Sequence, residues 1–474
     1  MEKIPHPVIS RGEYSNYTIP PLSLLDEENG KNFSESLNVI NDNGEKLLRC
    51  LAMLNINANI CKTTPALRFT RYTIAASETD VEKILDIEDF VDFKNIHIFK
   101  ENSTTVNIDI MRNSQEITAV RLRPLLETYQ WQNCKLLLPM ALGRDLCNEP
   151  IILDLAKMPH LLIAGSCGTG KAICINNIIA GLLCKYSPDK LRFIMSDLKC
   201  VEYTQYQNLP HLQFPIVNNC LDTLTLLHWT LNELESRKLL LQQSAVRSIE
   251  EYNASHSEKM PYIIFFIDDL ADLMRQDHEL AVIAKKVIAD IAEQTASVGI
   301  HLIICTQVPS AGVITAEIKK HIPFRIGFRV SFCKDSQAIL DETGAENLYG
   351  AGDMLIKTDV SASLIRGQEV FVRDHEIEKI IKFISEPYLD NCEKINPLDQ
   401  SIENMKSVAD EIKIFICPGD TYGFLEAVKL VIAEPDKATI SHLQRNLKIG
   451  YNRAAEYMDL LRERGVIKKM NIKF

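Results

Sequence analysis

The chain has 474 residues and a formal net charge of −11, with 46% hydrophobic residues, 19 glycines and 19 prolines. That length exceeds one ordinary core and implies about two to four domains, and the apolar fraction can offset chain entropy, which excludes a disordered protein. The acidic balance excludes a protein that coats nucleic acid or anionic lipid with its whole surface, although a local basic patch can run against it. No run approaches the ~18 apolar residues of a membrane span. The start, MEKIPHPVISRGEY, lacks the apolar core of a signal peptide, so a cytoplasmic location is expected. The thirteen cysteines include no C-x-x-C pair and are read as reduced, mostly buried thiols.

In chain order, residues 1–35 are rich in Pro, Asn and Glu and read as an extended arm. Residues 36–138 carry a helical pattern, SLNVINDNGEKLLRCLAMLNI, and then short alternating segments such as LRFTRYTI and TVNIDIM, which fit a small α/β domain. Residues 139–385 alternate apolar strands with helical segments, the rhythm of a parallel sheet covered on both faces. HLLIAG, LRFIMSD, YIIFFID and HLIICTQ are the predicted strands, and their carboxyl ends, where ligands bind in open α/β sheets, carry Gly165, Asp197, Asp268 and Gln307. Residues 386–411 are acidic and helix-poor and read as a linker. Within residues 412–474 the pattern is three helices and a short basic strand, with a tight turn containing Gly450 between the last two helices, the outline of a winged helix-turn-helix. Between Lys437 and Phe474 there are nine Lys/Arg against three Asp/Glu, the one basic patch of the chain. A solvated helix surface is the plainer account of it.

Chemistry enters at LLIAGSCGTGKAICINNI. In G-x-x-x-x-G-K-S/T the glycines let backbone N–H groups close around phosphates, the lysine neutralises them, and the hydroxyl binds magnesium. Gly165, Ser166, Cys167, Gly168, Thr169, Gly170, Lys171 and Ala172 occupy that frame between a predicted strand and a predicted helix, so the candidate ligands are ATP and Mg2+. Ala172 removes the hydroxyl. Asp268, at the end of YIIFFID, has the place of a magnesium-binding carboxylate.

HLLIAGSCGTGKA, LRFIMSDLKCVEY, PYIIFFIDDLADLM, GIHLIICTQVPSAGVITAEIKKHIPFRIGFRVS and ILDETGAENLYGAGDMLI resemble, in order and spacing, the motor of the FtsK/SpoIIIE family. TISHLQRNLKIGYNRAAEYMDLLRERGVI resembles the C-terminal winged-helix module of the same family. The resemblance implies an α/β fold: a RecA-like P-loop motor domain, preceded by a small α/β domain and followed by a winged helix-turn-helix. It also implies an ATP-driven translocase of double-stranded DNA in chromosome segregation and cell division, working as a homo-hexamer or in a mixed ring with a homologue. Carried onto this sequence, it makes Lys171 the phosphate lysine, Asp268 the metal ligand and Gln307 the γ-phosphate sensor. Asn452 and Arg453 would face the major groove, with Arg445 and Lys448 on the backbone. Full-length members are anchored by an N-terminal membrane domain, and the absence of spans here is a departure.

Four further departures concentrate where hydrolysis happens. Ala172 lacks the magnesium hydroxyl. Asp269 stands where the family places the glutamate that polarises water, one methylene shorter. Ala296 occupies the position of an arginine finger, and Val308 replaces the arginine of TQRP. A displacement of about 1 Å can cost ~100-fold in rate, and a finger is worth on the order of 10³ to 10⁵. The alternative to an active translocase is therefore a paralogue or inactive ring partner that binds nucleotide and DNA without translocating.

Overall fold

The computed structural model describes residues 7–10, 14–27, 37–85, 96–112, 119–275, 278–294, 297–359, 361, 363–391, 427–428, 430–431, 439–447 and 450–463. A four-stranded antiparallel sheet holds β1 (Ala58–Pro65), β2 (Phe69–Ala76), β3 (Ile96–Lys100) and β4 (Thr105–Met111) in the order β1-β2-β4-β3. Helices Leu37–Met53 and Glu78–Leu85 supply Ile40, Leu47, Leu51, Val81 and Ile84 to a core with Tyr72, Ile74, Val106 and Ile108. The Tyr72 hydroxyl, buried in that core, donates to the Ile40 carbonyl at 2.6 Å.

The second sheet has nine strands: β5 (Pro139–Asp145), β6 (Pro150–Asp154), β7 (His160–Ala164), β8 (Leu191–Asp197), β9 (Tyr262–Asp268), β10 (Ile300–Thr306), β11 (Phe324–Phe328), β12 (Asp353–Lys357) and β13 (Ile365–Glu369). Their order is β6-β5-β13-β12-β11-β7-β10-β9-β8. The four strands read from the sequence form, with β11, a parallel block. The remaining four pair antiparallel, so the sheet is mixed rather than parallel throughout. Within the block alternate residues enter opposite cores: Leu161, Ile163, Ile264, Phe266 and Ile303 face one, and Leu162, Ile263, Phe265, Ile267 and Ile304 face the other. Two-sided burial is why these strands read as unbroken apolar runs. The antiparallel strands carry charge at their ends, as in ALGRD and IRGQE, and lack that signature.

The N-terminal segment runs along this unit. Ser10 N donates to Lys259 O (2.8 Å), Tyr14 N to Asp189 (3.1 Å) and Asp26 N to Glu376 (2.7 Å), while Leu25 is 2% exposed within the core. Arg373 and His375 close on Asp26 at 2.8 and 3.2 Å. Residues Glu386–Asn391 form a 3-10 helix at the start of the stretch read as a linker, and 392–411 lie outside the described residues. In the C-terminal part, helices Ile440–Leu447 and Tyr451–Glu463 pack Leu443, Ala454, Tyr457, Met458 and Leu461 against Ala427, Val428 and Val431. The predicted terminal strand, 466–474, lies outside the described residues.

The cysteines correct an expectation. All eleven described are free thiols, yet Cys174 and Cys305 are the buried ones, and Cys61, Cys147, Cys167, Cys200 and Cys333 are exposed. Several of the exposed ones lie in turns and loops, where the chain must surface. Among the described residues no helix is long and apolar enough to cross a membrane.

One buried ion pair ties this architecture together. Arg237, fully buried in helix Cys220–Gln243, donates to Glu233 (2.7 Å), Pro261 O (2.9 Å) and Val298 O (3.0 Å), so it fixes the helix to the approaches of β9 and β10. Arg237→Ala leaves Glu233 buried without its cation and is expected to cost about 3–5 kcal/mol, read as a lowered midpoint in urea denaturation of the intact chain.

Candidate functional site

The site grows from the carboxyl ends of the parallel block. Register places Ala164 beside Thr306, Ile304 beside Ile267, and Asp268 beside Asp197. Gly165, Gln307, Asp268 and Asp197 therefore stand in spatial order along one edge, on β7, β10, β9 and β8 or just beyond them. Helix Lys171–Leu183 follows the loop and begins at Gly170, which offers no side-chain cap. The first-turn N–H groups, which have no partner within a helix, are thereby left to whatever docks at the loop.

The loop is held from below. Ser166 N donates to Arg329 O (2.9 Å), and Gly352 N donates to Thr169 O (2.9 Å). The Thr169 hydroxyl and the Lys171 ammonium both donate to Ser166 O, at 2.7 and 2.6 Å. Gly170 has φ +137°, and a Cβ there would come within 2.5 Å of Glu369 Oε2 and 2.8 Å of Phe328, so any side chain would lift the loop. Cys167 and Gly168 are exposed at its crest, and Ala172 is half-buried in the first helical turn.

Lys171 is 6% exposed. Burial lowers its pKa, and the neighbouring Cys305, Cys167, Asp268 and Asp269 oppose that shift. Asp268, 5% exposed, is pushed up to about 7, first by burial and then by Glu202, Asp197 and Asp269, with Lys199 acting in the other direction. Asp269 is 3% exposed with φ +51°; it caps the short helix Leu270–Met274 by accepting from Ala271 N (3.3 Å), and its other oxygen is paired with Lys199. Lys199 also stands 3.8 Å from Asp272. Gln307 is half-buried, and Val308 packs against the core.

A triphosphate fits this donor set: a glycine-built cradle, an open helix start and a buried ammonium. Magnesium fits in part. Asp268 is in place, but Ala172 presents a methyl group, and among the described residues no group of three His, Cys, Asp or Glu could hold a metal by itself. A divalent ion here would depend on oxygens that the nucleotide brings.

The remaining candidates lie elsewhere or outside the described residues. Arg445, Asn452 and Arg453 are exposed on the last two helices, while Lys448 and Ala296 are outside the described residues. The Arg453 guanidinium donates to the Tyr457 hydroxyl at 3.2 Å, one helical turn on, and Glu456 also favours its charge. Sequence reading missed Lys199 and Glu369. Lys199 stands two residues past a strand-end aspartate in SDLK, a position that could have flagged it. Glu369 carries no local signal, because its proximity to Gly170 arises from sheet order.

Strand, glycine loop, buried lysine and an aspartate two strands away define a P-loop nucleoside-triphosphatase fold. The FtsK/SpoIIIE family model matches residues 121–311, and the Ftsk gamma domain model matches 421–473. The chain belongs to the FtsK/SpoIIIE family. It is 36% identical to the DNA translocase FtsK of Clostridium tetani over 96% of this chain and 61% of that protein. It is 33% identical to the DNA translocase SftA of Bacillus subtilis over 96% of this chain and 47% of that protein. The chain thus spans about three fifths of the length of the first of these relatives. In fold it resembles the pCW3 conjugation coupling protein TcpA, solved in monomer form with ATPγS, with a TM-score of 0.54, 23% identity, and coverage of 72% of this chain and 99% of that one.

Glu369 yields a measurable consequence. Burial holds its pKa well above the carboxylate range, with Cys174 donating to it in partial opposition. The folded state therefore keeps a proton that the unfolded chain releases near its ordinary pKa, so wild-type stability falls with rising pH between those two values. Glu369→Gln has no such proton to release. Its stability relative to wild type is expected to rise as pH climbs above the ordinary carboxylate range, read from paired denaturation curves at pH 5, 6, 7 and 8.

Proposed function

We propose that the chain binds MgATP at Gly165–Ala172 and acts in the cytoplasm as a translocase-type motor on double-stranded DNA, in chromosome segregation and cell division, with slow hydrolysis. The observation that carries the reading is Lys171, buried at the loop near Asp268 at the carboxyl ends of the parallel block. The loop N–H groups and Lys171 would hold the β- and γ-phosphates, and Asp268 would hold the ion. Bound magnesium would neutralise charge on those oxygens. Gln307, beside Gly165 on the next strand, is the proposed γ-phosphate sensor.

The C-terminal helices supply the proposed duplex contact. Asn452 and Arg453 lie exposed in the first turn of helix Tyr451–Glu463, the end that meets base edges in helix-turn-helix proteins, and Arg445 is exposed in the last turn of the preceding helix. Arg445 and Lys448 are the proposed backbone contacts. The family supports a hexameric ring, or a mixed ring with a homologue.

A second reading, a ring partner that binds nucleotide without translocating, is favoured by Ala172 and by the state of Asp269. Its carboxylate is already engaged by Lys199 and by a helix cap, so it is not free to polarise water. Steady-state ATP hydrolysis with and without duplex DNA separates the two. Low, DNA-stimulated turnover abolished by Lys171→Ala is expected, with at least ~10-fold recovery in Ala172→Ser plus Ala296→Arg. Nucleotide binding without turnover in either protein selects the second reading, and no nucleotide binding overturns both. Arg453→Ala is expected to weaken duplex binding by about 5- to 100-fold at fixed salt, measured by fluorescence anisotropy.

A further inference from the structure

The turn Tyr349–Gly352 is gripped from two sides. On one side it meets the phosphate loop: Gly352 N donates to Thr169 O (2.9 Å), and the Gly352 Cα lies 3.2 Å from where a Cβ on Gly170 would sit. Glu369 N, from β13, donates to Gly352 O at 2.7 Å and anchors the same point to the sheet. On the other side it meets the β1–β2 hairpin of the small domain. Arg68 Nη1 donates to Gly350 O (2.7 Å) and Ala351 O (3.2 Å).

The hairpin is itself fixed to the motor. Leu67 is 6% exposed and belongs to the motor's core, not to the core of its own sheet. Phe69 packs on the Tyr349 ring at 5.2 Å between centroids. The Tyr349 hydroxyl donates to Asp109 (2.6 Å), and Asp109 is held by both arms of Arg71 (2.7 and 2.8 Å). Arg366, paired with Asp353 at 2.7 Å, stacks over both Phe69 and Tyr349.

Between these grips the backbone is left-handed at three successive residues, with φ of 75°, 48° and 86° at Gly350, Ala351 and Gly352. Alanine is disfavoured there, so the conformation persists because its surroundings hold it. The turn thus has the small domain on one face and the phosphate loop on the other.

We propose that Arg68 is a positioning residue for the phosphate loop: through the 350–352 turn the small domain sets the placement of Thr169 and Gly170, and phosphate binding at the loop is felt in return by the hairpin. The proposal rests on the loop being the nucleotide site, as set out above. Coupling of this kind is reciprocal by linkage.

The test is hydrogen exchange on the full chain, read first without nucleotide. Arg68→Ala is expected to speed exchange across 165–171 by about tenfold, with partial rescue in Arg68→Lys. Asp80→Ala, which breaks a surface pair with Lys83 in the same domain, is expected to leave that segment unchanged. Mg-ATPγS affinity of Arg68→Ala is expected to fall by about 5- to 20-fold, and saturating Mg-ATPγS is expected to slow exchange at 66–71 in the wild type. Wild-type exchange at 165–171 in a folded Arg68→Ala protein overturns the proposal. Should that variant fail to fold, Tyr349→Phe, which deletes one hydroxyl on the same grip, carries the same readout with a smaller acceleration, and its absence has the same force. If the wild type binds no nucleotide, the functional reading falls, while exchange in the nucleotide-free protein still decides whether Arg68 positions the loop.

Discussion

A buried ammonium must be surrounded by oxygen, and Lys171 organises its neighbourhood accordingly. Ser166 O accepts its hydrogen bond, Asp268 and Asp269 favour its charge, and burial works against it. The balance requires a loop tight enough to bring Ser166 O back to the start of the helix. That tightness in turn requires Gly170 to pass within reach of Glu369 and Phe328 without a side chain. The mixed sheet follows the same requirement: β11, the last parallel strand, and β13, an antiparallel one, deliver Phe328 and Glu369 to the underside of the loop, so its floor is built where the two halves of the sheet meet.

Ala172 and Asp269 lie apart from Phe328 and Glu369, the residues beneath the loop. A phosphate cradle is built from backbone and one lysine, and both remain. Polarising a water molecule demands a carboxylate that is unengaged and correctly placed. In Asp269 one oxygen caps the following helix and Lys199 takes the other. The proposed slow hydrolysis rests on this difference in side-chain engagement, since the groups that would hold a nucleotide are all present.

The sequence made the parallel block and the loop legible because both depend on local signals: strand-length apolar runs, a glycine-lysine spacing and strand-end carboxylates. The C-terminal helices were legible for a similar reason, through periodicity and a glycine turn. The antiparallel half of the sheet was not, because IRGQE and ALGRD owe their strand state to pairing with distant partners. Glu369, Lys199 and the 350–352 turn were hidden for the same cause: their importance comes from which residues sheet order and hairpin insertion set beside them. Cysteine burial was misjudged because composition says nothing of where a turn falls.

The segment before the small domain has a mechanical consequence. Asp26 is held by Arg373 and His375, and its N–H by Glu376, at the first turn of helix Asp374–Ser385, which precedes the C-terminal helices in the chain. Those contacts tie the arm to the helix that closes this unit of the chain. Because the arm is also hydrogen-bonded to Asp189 and Lys259, just ahead of β8 and β9, a load on that helix would be shared with the opposite side of the sheet instead of falling on β13 alone.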